Sequence, residues 1–323
     1  MTPVPDDRLR VCVYHPSMGR VIAERLALAH PALDVELVAD VGRDPPGLEH
    51  IEVLIANTFP PGLLGRARRL RWLHLTGSGT EHVAAGEPHP ALLLSTSARV
   101  PAVAVAEFAW MGLLAMAKDA VRLVDQQRGH RWRLPDARLV AGSRLVLVGL
   151  GRIGSEIARR AAAFDVTVTA VTRSGRASPL AARTLPSAGL AEAAGAADHL
   201  VLAVPDTAGT RGLVDAGVLD RLPPHACLVN VGRPGVLDTA ARVRRLRTGA
   251  LRAAMLDVHD LEPLPGDDER WTVPNLWVTP HGAYRFHEEE QRVAEVFAGN
   301  LEDFRAGRPL RDGTATGAGA GPR

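Results

Sequence analysis

Residues 144–154 read RLVLVGLGRIG, and the last six complete a G-x-G-x-x-G. Alone this motif is weak. Here it follows an apolar strand-like run and opens the helical pattern RIGSEIARRAAAF, the setting in which the glycines have work to do. Gly149 permits a tight turn, Gly151 lets backbone amides approach a pyrophosphate, and Gly154 lets the helix pack close to its strand. The amides of Arg152, Ile153 and Gly154 then sit in the first helical turn, whose free N–H groups and dipole suit phosphate. A chain with this feature is expected to build a parallel α/β sheet around a dinucleotide.

About twenty residues on, such a site usually carries an acid that accepts from the ribose hydroxyls. The stretch VTVTAVTRSG (166–175) has none and ends in Thr172, Arg173 and Ser174. A guanidinium pairs with phosphate in a bidentate fork, and two hydroxyls add donors. The expected cofactor is NADP(H), with NAD(H) possible.

The first hundred residues alternate apolar runs (9–15, 34–40, 52–57, 70–76, 91–96) with helical stretches such as 21–29. A second series follows at 144–149, 166–172, 199–204, 226–232, 251–258 and 276–280, with helices at 153–164 and 238–248. Strands alternating with helices imply parallel sheets covered on both faces. Apolar helical patterns at 102–127 and 288–307 are candidates to bridge the two series. The EEE run at 288–290 reads as a solvated first turn, placed where the helix dipole favours acids.

Composition excludes more than it selects. The 323 residues carry 38 basic and 36 acidic side chains, with no basic block for nucleic acid. Lys118 is the only lysine, so neither a Walker phosphate loop nor Schiff-base chemistry is expected. Cys12 and Cys227 lack metal or redox spacing and read as buried thiols. No apolar run approaches a membrane span, and no signal peptide is visible, so a cytoplasmic location is expected.

Three further stretches, VNVGRPGVLD (229–238), MLDVHDLEPLP (255–265) and VTPHGAY (278–284), stand in order behind GLGRIG. Together they resemble the D-isomer-specific 2-hydroxyacid dehydrogenase family, and within it the glyoxylate/hydroxypyruvate reductase-like members. LTGSGTEHV (75–83) and VAE (105–107) extend the likeness over nearly the whole chain. The resemblance implies two doubly wound parallel-sheet domains, a Rossmann nucleotide domain (100–283) inserted in a flavodoxin-like substrate domain (1–99 and 284–311); the small, flexible residues at the end read as a disordered tail (312–323). It implies a catalytic set of Arg233, Glu262 and His281 in a cleft between the domains.

In that reading Arg233 holds the carboxylate of a 2-keto acid, His281 exchanges the proton, and Glu262 supports the imidazole. Gly77, Ser78 and Gly79 offer amides to the substrate carboxylate. Asp257 touches the nicotinamide carboxamide or its ribose, and Val204, Pro205, Val231 and Gly232 complete the cofactor set. The activity implied is hydride transfer between NADP(H) and C2 of a small 2-keto or 2-hydroxy acid, in a homodimer. No metal is expected, since Asp257, His259, Asp260 and Glu262 lack ligand spacing.

Three departures keep alternatives open. Pro234 follows the arginine where the family usually has Gly; Glu81 stands where Asp is commoner; and Tyr284 and Arg285 border the His281 motif. The same fold also serves nucleotide-sensing binding proteins of the corepressor type, which retain the three residues. A dehydrogenase acting on a specialised substrate is the remaining option.

Overall fold

The computed structural model describes residues 9–80, 83 and 92–315. The chain forms two compact units, one of residues up to Pro101 with those from Phe286 onward, the other of Ala102–Arg285.

The first unit is a six-stranded sheet of β1 (Arg10–Tyr14), β2 (Asp34–Val38), β3 (Val53–Ala56), β4 (Trp72–Leu75), β5 (Leu93–Thr96) and β13 (Gly313–Ala315), in the order β13-β5-β4-β3-β1-β2. The five-strand order 2-1-3-4-5 is the flavodoxin-like arrangement. Runs such as VLIA and WLHL are buried at every position, because a parallel sheet is covered on both faces. On one face helices Gly19–Ala29 and Glu289–Arg305 pack together, and Trp72 stacks on Phe297 at 4.8 Å between ring centroids. Below that stack lies His74, fully buried, with Nδ1 2.7 Å from Ser95 Oγ and Nε2 2.9 Å from Ser97 Oγ. Burial pushes this imidazole down to about 3, so it is neutral and serves the core.

The second unit holds β6 (Arg144–Val148), β7 (Thr167–Thr172), β8 (Arg183–Pro186), β9 (His199–Leu202), β10 (Cys227–Asn230), β11 (Ala253–Leu256) and β12 (Leu276–Val278). Every pairing is parallel, in the order β12-β11-β10-β9-β6-β7-β8. Chain order reverses between β6 and β9, the switch point at which doubly wound sheets bind ligands. Alternate strand residues supply two cores. Leu145, Leu147, Val201 and Val229 face helices Ala102–Ala117 and Arg152–Ala161. Val146, Val148, Leu200 and Leu228 face helices Leu190–Ala194, Ala216–Arg221 and Thr239–Arg247. The two sets alternate because strand side chains point to opposite faces.

Several expectations change. The helix expected at 102–127 stops at Ala117; Asp119 takes a left-handed conformation (φ 57°), and a second helix runs Ala120–Arg128. Helices Ala102–Ala117 and Glu289–Arg305, candidates for bridging, each pack within one unit. Glu289, expected in a solvated turn, is buried. The tail expected to be disordered from 312 begins with structure. Gly313–Ala315 pairs antiparallel with the otherwise open edge of β5, and Asp312 is fixed by Arg99 Nε at 2.6 Å. Cys12 and Cys227 are buried and free, with burial pushing their thiols up to about 12 and about 11. No helix among the described residues is long and apolar enough to cross a membrane.

Candidate active site

The fingerprint sits at the C-terminal end of β6, beside the switch point. Gly149 has φ 96°, and a Cβ there would lie 2.6 Å from the Ala203 carbonyl oxygen. A methyl on Gly154 would overlap the Gly149 carbonyl. Both glycines are therefore demanded by the protein's own packing. Gly151 is different. It begins helix Arg152–Ala161 in an extended conformation, and a Cβ there meets nothing within 4 Å. The N-cap residue gives no side-chain acceptor to the amides of the first turn. That combination fits the pyrophosphate of a dinucleotide. Gly232 keeps the neighbouring loops close, since a Cβ on it would lie 2.7 Å from the Val204 carbonyl oxygen. Val204 and Pro205 follow β9, and Val231 follows β10 at the same sheet edge.

Beyond β7, Thr172 Oγ1 accepts from the Gly175 amide at 3.0 Å, and Ser174 Oγ accepts from the Arg176 amide at 3.3 Å. Arg173, Ser174 and Arg176 are exposed in this loop, which contains no carboxylate. Arg176, overlooked in the sequence, is a second guanidinium three residues from the first.

Arg233, Glu262 and His281 follow the C-terminal ends of β10, β11 and β12, three adjacent parallel strands. Strand spacing is about 4.8 Å, so the three loops originate within about 10 Å of one another. Arg233 is extended (φ −141°, ψ 148°), as a residue before proline must be. Pro234 opens the 3-10 turn Pro234–Val236, a position whose N–H would be unpaired anyway. The departure from glycine thus stiffens the turn without breaking a bond. Asn230, 1% exposed, braces the loop, accepting from the Gly232 amide at 3.0 Å and donating to the Arg233 carbonyl at 3.1 Å. The Arg233 guanidinium donates to the Gly232 carbonyl at 2.9 Å.

Glu262 and His281 meet directly: Oε2 lies 2.8 Å from Nδ1, and Oε1 accepts from the His259 amide at 2.8 Å. Partial burial alone would raise the Glu262 carboxyl, but the bonds from His281 and the His259 amide hold it below its ordinary value. An ionised Glu262 requires a proton on Nδ1, which leaves Nε2 to exchange one. His281 itself is left-handed (φ 50°), a conformation that side chains other than glycine rarely adopt.

Two residues at the end of β11 hold it there. Asp257, 2% exposed, accepts from Thr279 Oγ1 (2.8 Å) and the Gly282 amide (2.9 Å) on Oδ1, and from the Ala283 amide (2.9 Å) on Oδ2. Three donors of one turn therefore hold the carboxylate, two on Oδ1 and one on Oδ2. His259 Nε2 donates to the Thr279 carbonyl at 2.9 Å, so it ties the His281 turn to the residue whose amide binds Glu262. Tyr284 presents an edge-on ring to His281, with centroids 6.0 Å apart. In the first unit, Gly77 and Ser78 lie in a bend that follows β4, with Gly79 next to it, and a Cβ on Gly77 would lie 3.0 Å from Asn57 Oδ1. Glu81 lies outside the described residues.

A glycine fingerprint and a carboxylate–imidazole pair at one edge of one parallel sheet are what a nicotinamide-dependent dehydrogenase requires. Comparison with known proteins narrows the class. Residues 110–283 match the family model of the D-isomer specific 2-hydroxyacid dehydrogenase NAD binding domain. A glyoxylate reductase of Aeropyrum pernix is 30% identical over 307 residues, covering 89% of this chain and 91% of that protein. A glyoxylate reductase of Korarchaeum cryptofilum is 34% identical over 211 residues, 62% of this chain and 63% of that protein. An NADPH-dependent glyoxylate/hydroxypyruvate reductase from Sinorhizobium meliloti, solved with NADP and sulfate, shares 27% identity at a TM-score of 0.83, covering 97% of this chain and 100% of that one.

The chain belongs to the D-isomer-specific 2-hydroxyacid dehydrogenase family. It is an NAD(P)-dependent enzyme that interconverts 2-keto and 2-hydroxy acids.

Proposed function

We propose that this enzyme reduces small 2-keto acids of the glyoxylate and hydroxypyruvate kind, with NADPH as the preferred reductant. The Glu262–His281 pair at 2.8 Å carries the catalytic reading. The cofactor, when bound, supplies hydride to C2. Arg233 holds the substrate carboxylate and polarises the keto oxygen with its planar fork of donors. His281 gives its Nε2 proton to the developing alkoxide, a transfer of the kind that contributes roughly 10²–10⁴-fold. Glu262 keeps the imidazole oriented and favours its charged form. The amides of Gly77–Gly79 are proposed as further donors to the carboxylate.

The carboxylate-free loop after β7 supports NADPH, since Arg173, Thr172 and Ser174 can all donate to a 2′-phosphate and Arg176 adds a second positive charge. Arg173→Asp is expected to move preference towards NADH, measured as the ratio of kcat/KM for the two reductants. An unchanged ratio would remove the phosphate-pairing assignment. Turnover on a panel of glyoxylate, hydroxypyruvate, pyruvate and phenylpyruvate tests the substrate class. A protein that binds dinucleotide yet turns over none of them is a sensor instead.

We also propose a homodimer formed through the nucleotide unit. The apolar side chains Val121, Val124, Trp132 and Leu134 are exposed within one short segment there, as the residues of an interface are in a free chain. Sedimentation of wild type against Trp132→Ser plus Leu134→Ser tests it; two monomers of wild-type protein would overturn it.

A further inference from the structure

The dinucleotide and proton-transfer residues all lie at the C-terminal ends of the strands of the second unit. At the opposite edge, where β6, β9, β10 and β11 begin, a cavity of about 400 Å³ opens. We propose that this cavity is a separate binding site for a small organic oxyanion that also carries a hydroxyl group.

Its inner wall contains two buried polar side chains. Ser143 is 8% exposed and His199 is 5% exposed, and both line the cavity. Neither Ser143 Oγ nor either ring nitrogen of His199 has a hydrogen-bond partner among the described residues. Native proteins pair nearly all such groups, so this wall is built to meet something. Burial lowers the His199 pKa, outweighing the nearby Asp198 carboxylate, and a neutral imidazole offers one donor and one acceptor. With the Ser143 hydroxyl on the same lining, the cavity can both donate to and accept from a ligand hydroxyl.

The rim sets the charge. Asp198 is already engaged, by the Arg144 amide at 2.8 Å, Arg144 Nε at 3.1 Å and His225 Nε2 at 2.8 Å. Arg252 is paired with Asp136 at 2.6 Å. Arg138 and Arg252 both act on the single carboxylate of Asp136, which leaves one excess cation at the mouth. An adjoining cavity of about 460 Å³ shares Arg138, His225 and Arg252, so the cations stand where the two spaces join. That places the anionic group of a ligand at the rim and its hydroxyl against Ser143 and His199. The volume falls in the range of small-molecule sites, about 300–1,000 Å³.

Calorimetric titration of the full-length enzyme, held in saturating NADP⁺, tests this with two probes. Glycerol 3-phosphate represents phosphates, and 3-hydroxybutyrate represents carboxylates without being a 2-hydroxy acid. At least one is expected to bind. Arg138→Ala is expected to weaken it by at least about tenfold, the loss of a hydrogen bond to a charged group, and Ser143→Ala by about threefold to tenfold, the loss of a neutral one. Arg233→Ala is expected to leave binding unchanged. The site is refuted if neither probe binds wild type, or if binding survives Arg138→Ala and Ser143→Ala but is lost in Arg233→Ala. Ser143→Ala removes only one oxygen and keeps the test open should a larger change unfold the protein.

Discussion

Replacing Asp257 by Asn separates positioning from contact. The amide oxygen can stand in for Oδ1 and keep the bonds from Thr279 and Gly282. The NH₂ group then faces the Ala283 amide, which now sits 2.9 Å from an oxygen, and two donors oppose each other. Leaving that buried N–H unpaired costs about 1–3 kcal/mol. The two surviving bonds lose charge assistance, which roughly halves their strength. Together these remove about 2–4 kcal/mol from the turn that holds His281 left-handed. A loss of about 2 kcal/mol at the transition state is about thirtyfold in rate. Steady-state kinetics on glyoxylate and hydroxypyruvate should therefore show kcat reduced at least thirtyfold by that estimate, with KM for the reductant little changed. A kcat within about threefold of wild type would refute the bracing role, on the same conversion of rate to energy. A defect confined to KM for NADPH would make Asp257 a nicotinamide contact only. Thr279→Val, which removes one of the three bonds and keeps the carboxylate, should give a smaller fall in kcat.

Gly151→Ala is expected to leave the melting temperature unchanged and to raise KM for the dinucleotide, because a Cβ there meets no protein atom within 4 Å. A destabilised Gly151→Ala protein would show that this glycine serves packing rather than the cofactor. Burial would raise the Asp198 carboxyl, but bonds from Arg144 and His225 hold it at about 2. The folded pKa lies below the unfolded one, so the carboxylate stabilises the fold above about pH 4 and that contribution fades as pH falls towards 2. Asp198→Asn should remove about 2 kcal/mol at pH 7 and flatten the acid limb of a denaturant-melt series, and an unchanged limb would refute the assignment. His259→Phe should lower kcat by freeing the Thr279 carbonyl, while His259→Gln, which retains a donor, should restore part of it. Equal losses in the two variants would show that the ring's volume, not its hydrogen bond, matters.

How far the sequence could be read depends on the range of the interactions concerned. The central strands of both sheets were legible because each is a buried apolar run with turn residues on either side, whereas β13 (Gly-Thr-Ala) has no apolar run and read as tail. β8 was missed, since Arg183-Thr-Leu-Pro at a sheet edge has no such run. The helix break at Asp119 was missed because helical spacing continues through it, and only the backbone angle marks the stop. Arg233, Glu262 and His281 could be named from motif order. The residues that brace them could not: Asp257 reaches 25 and 26 residues forward to Gly282 and Ala283, and His259 reaches 20 forward to Thr279. The unpaired wall formed by Ser143 and His199 has no sequence pattern, because a missing partner is visible only in three dimensions.

The two ends of the second sheet also differ in how their charges are held. At the C-terminal end Glu262 is bonded by His281 and the His259 amide, and Asp257 by three donors of one turn. Glu262 holds the His281 ring directly and Asp257 holds the turn that carries it, so a small shift at either carboxylate becomes a shift of the imidazole proposed to exchange the proton. At the N-terminal end Asp198 joins Arg144, which opens β6, to His225, which precedes β10. That carboxylate holds strand starts together and touches no proton-transfer group. Neutralising a carboxylate at the first end should therefore change kcat before it changes the melting temperature, and neutralising Asp198 should do the reverse. Measuring both quantities for Glu262→Gln and Asp198→Asn would expose the error in this division if the two variants lost activity and stability in the same proportion.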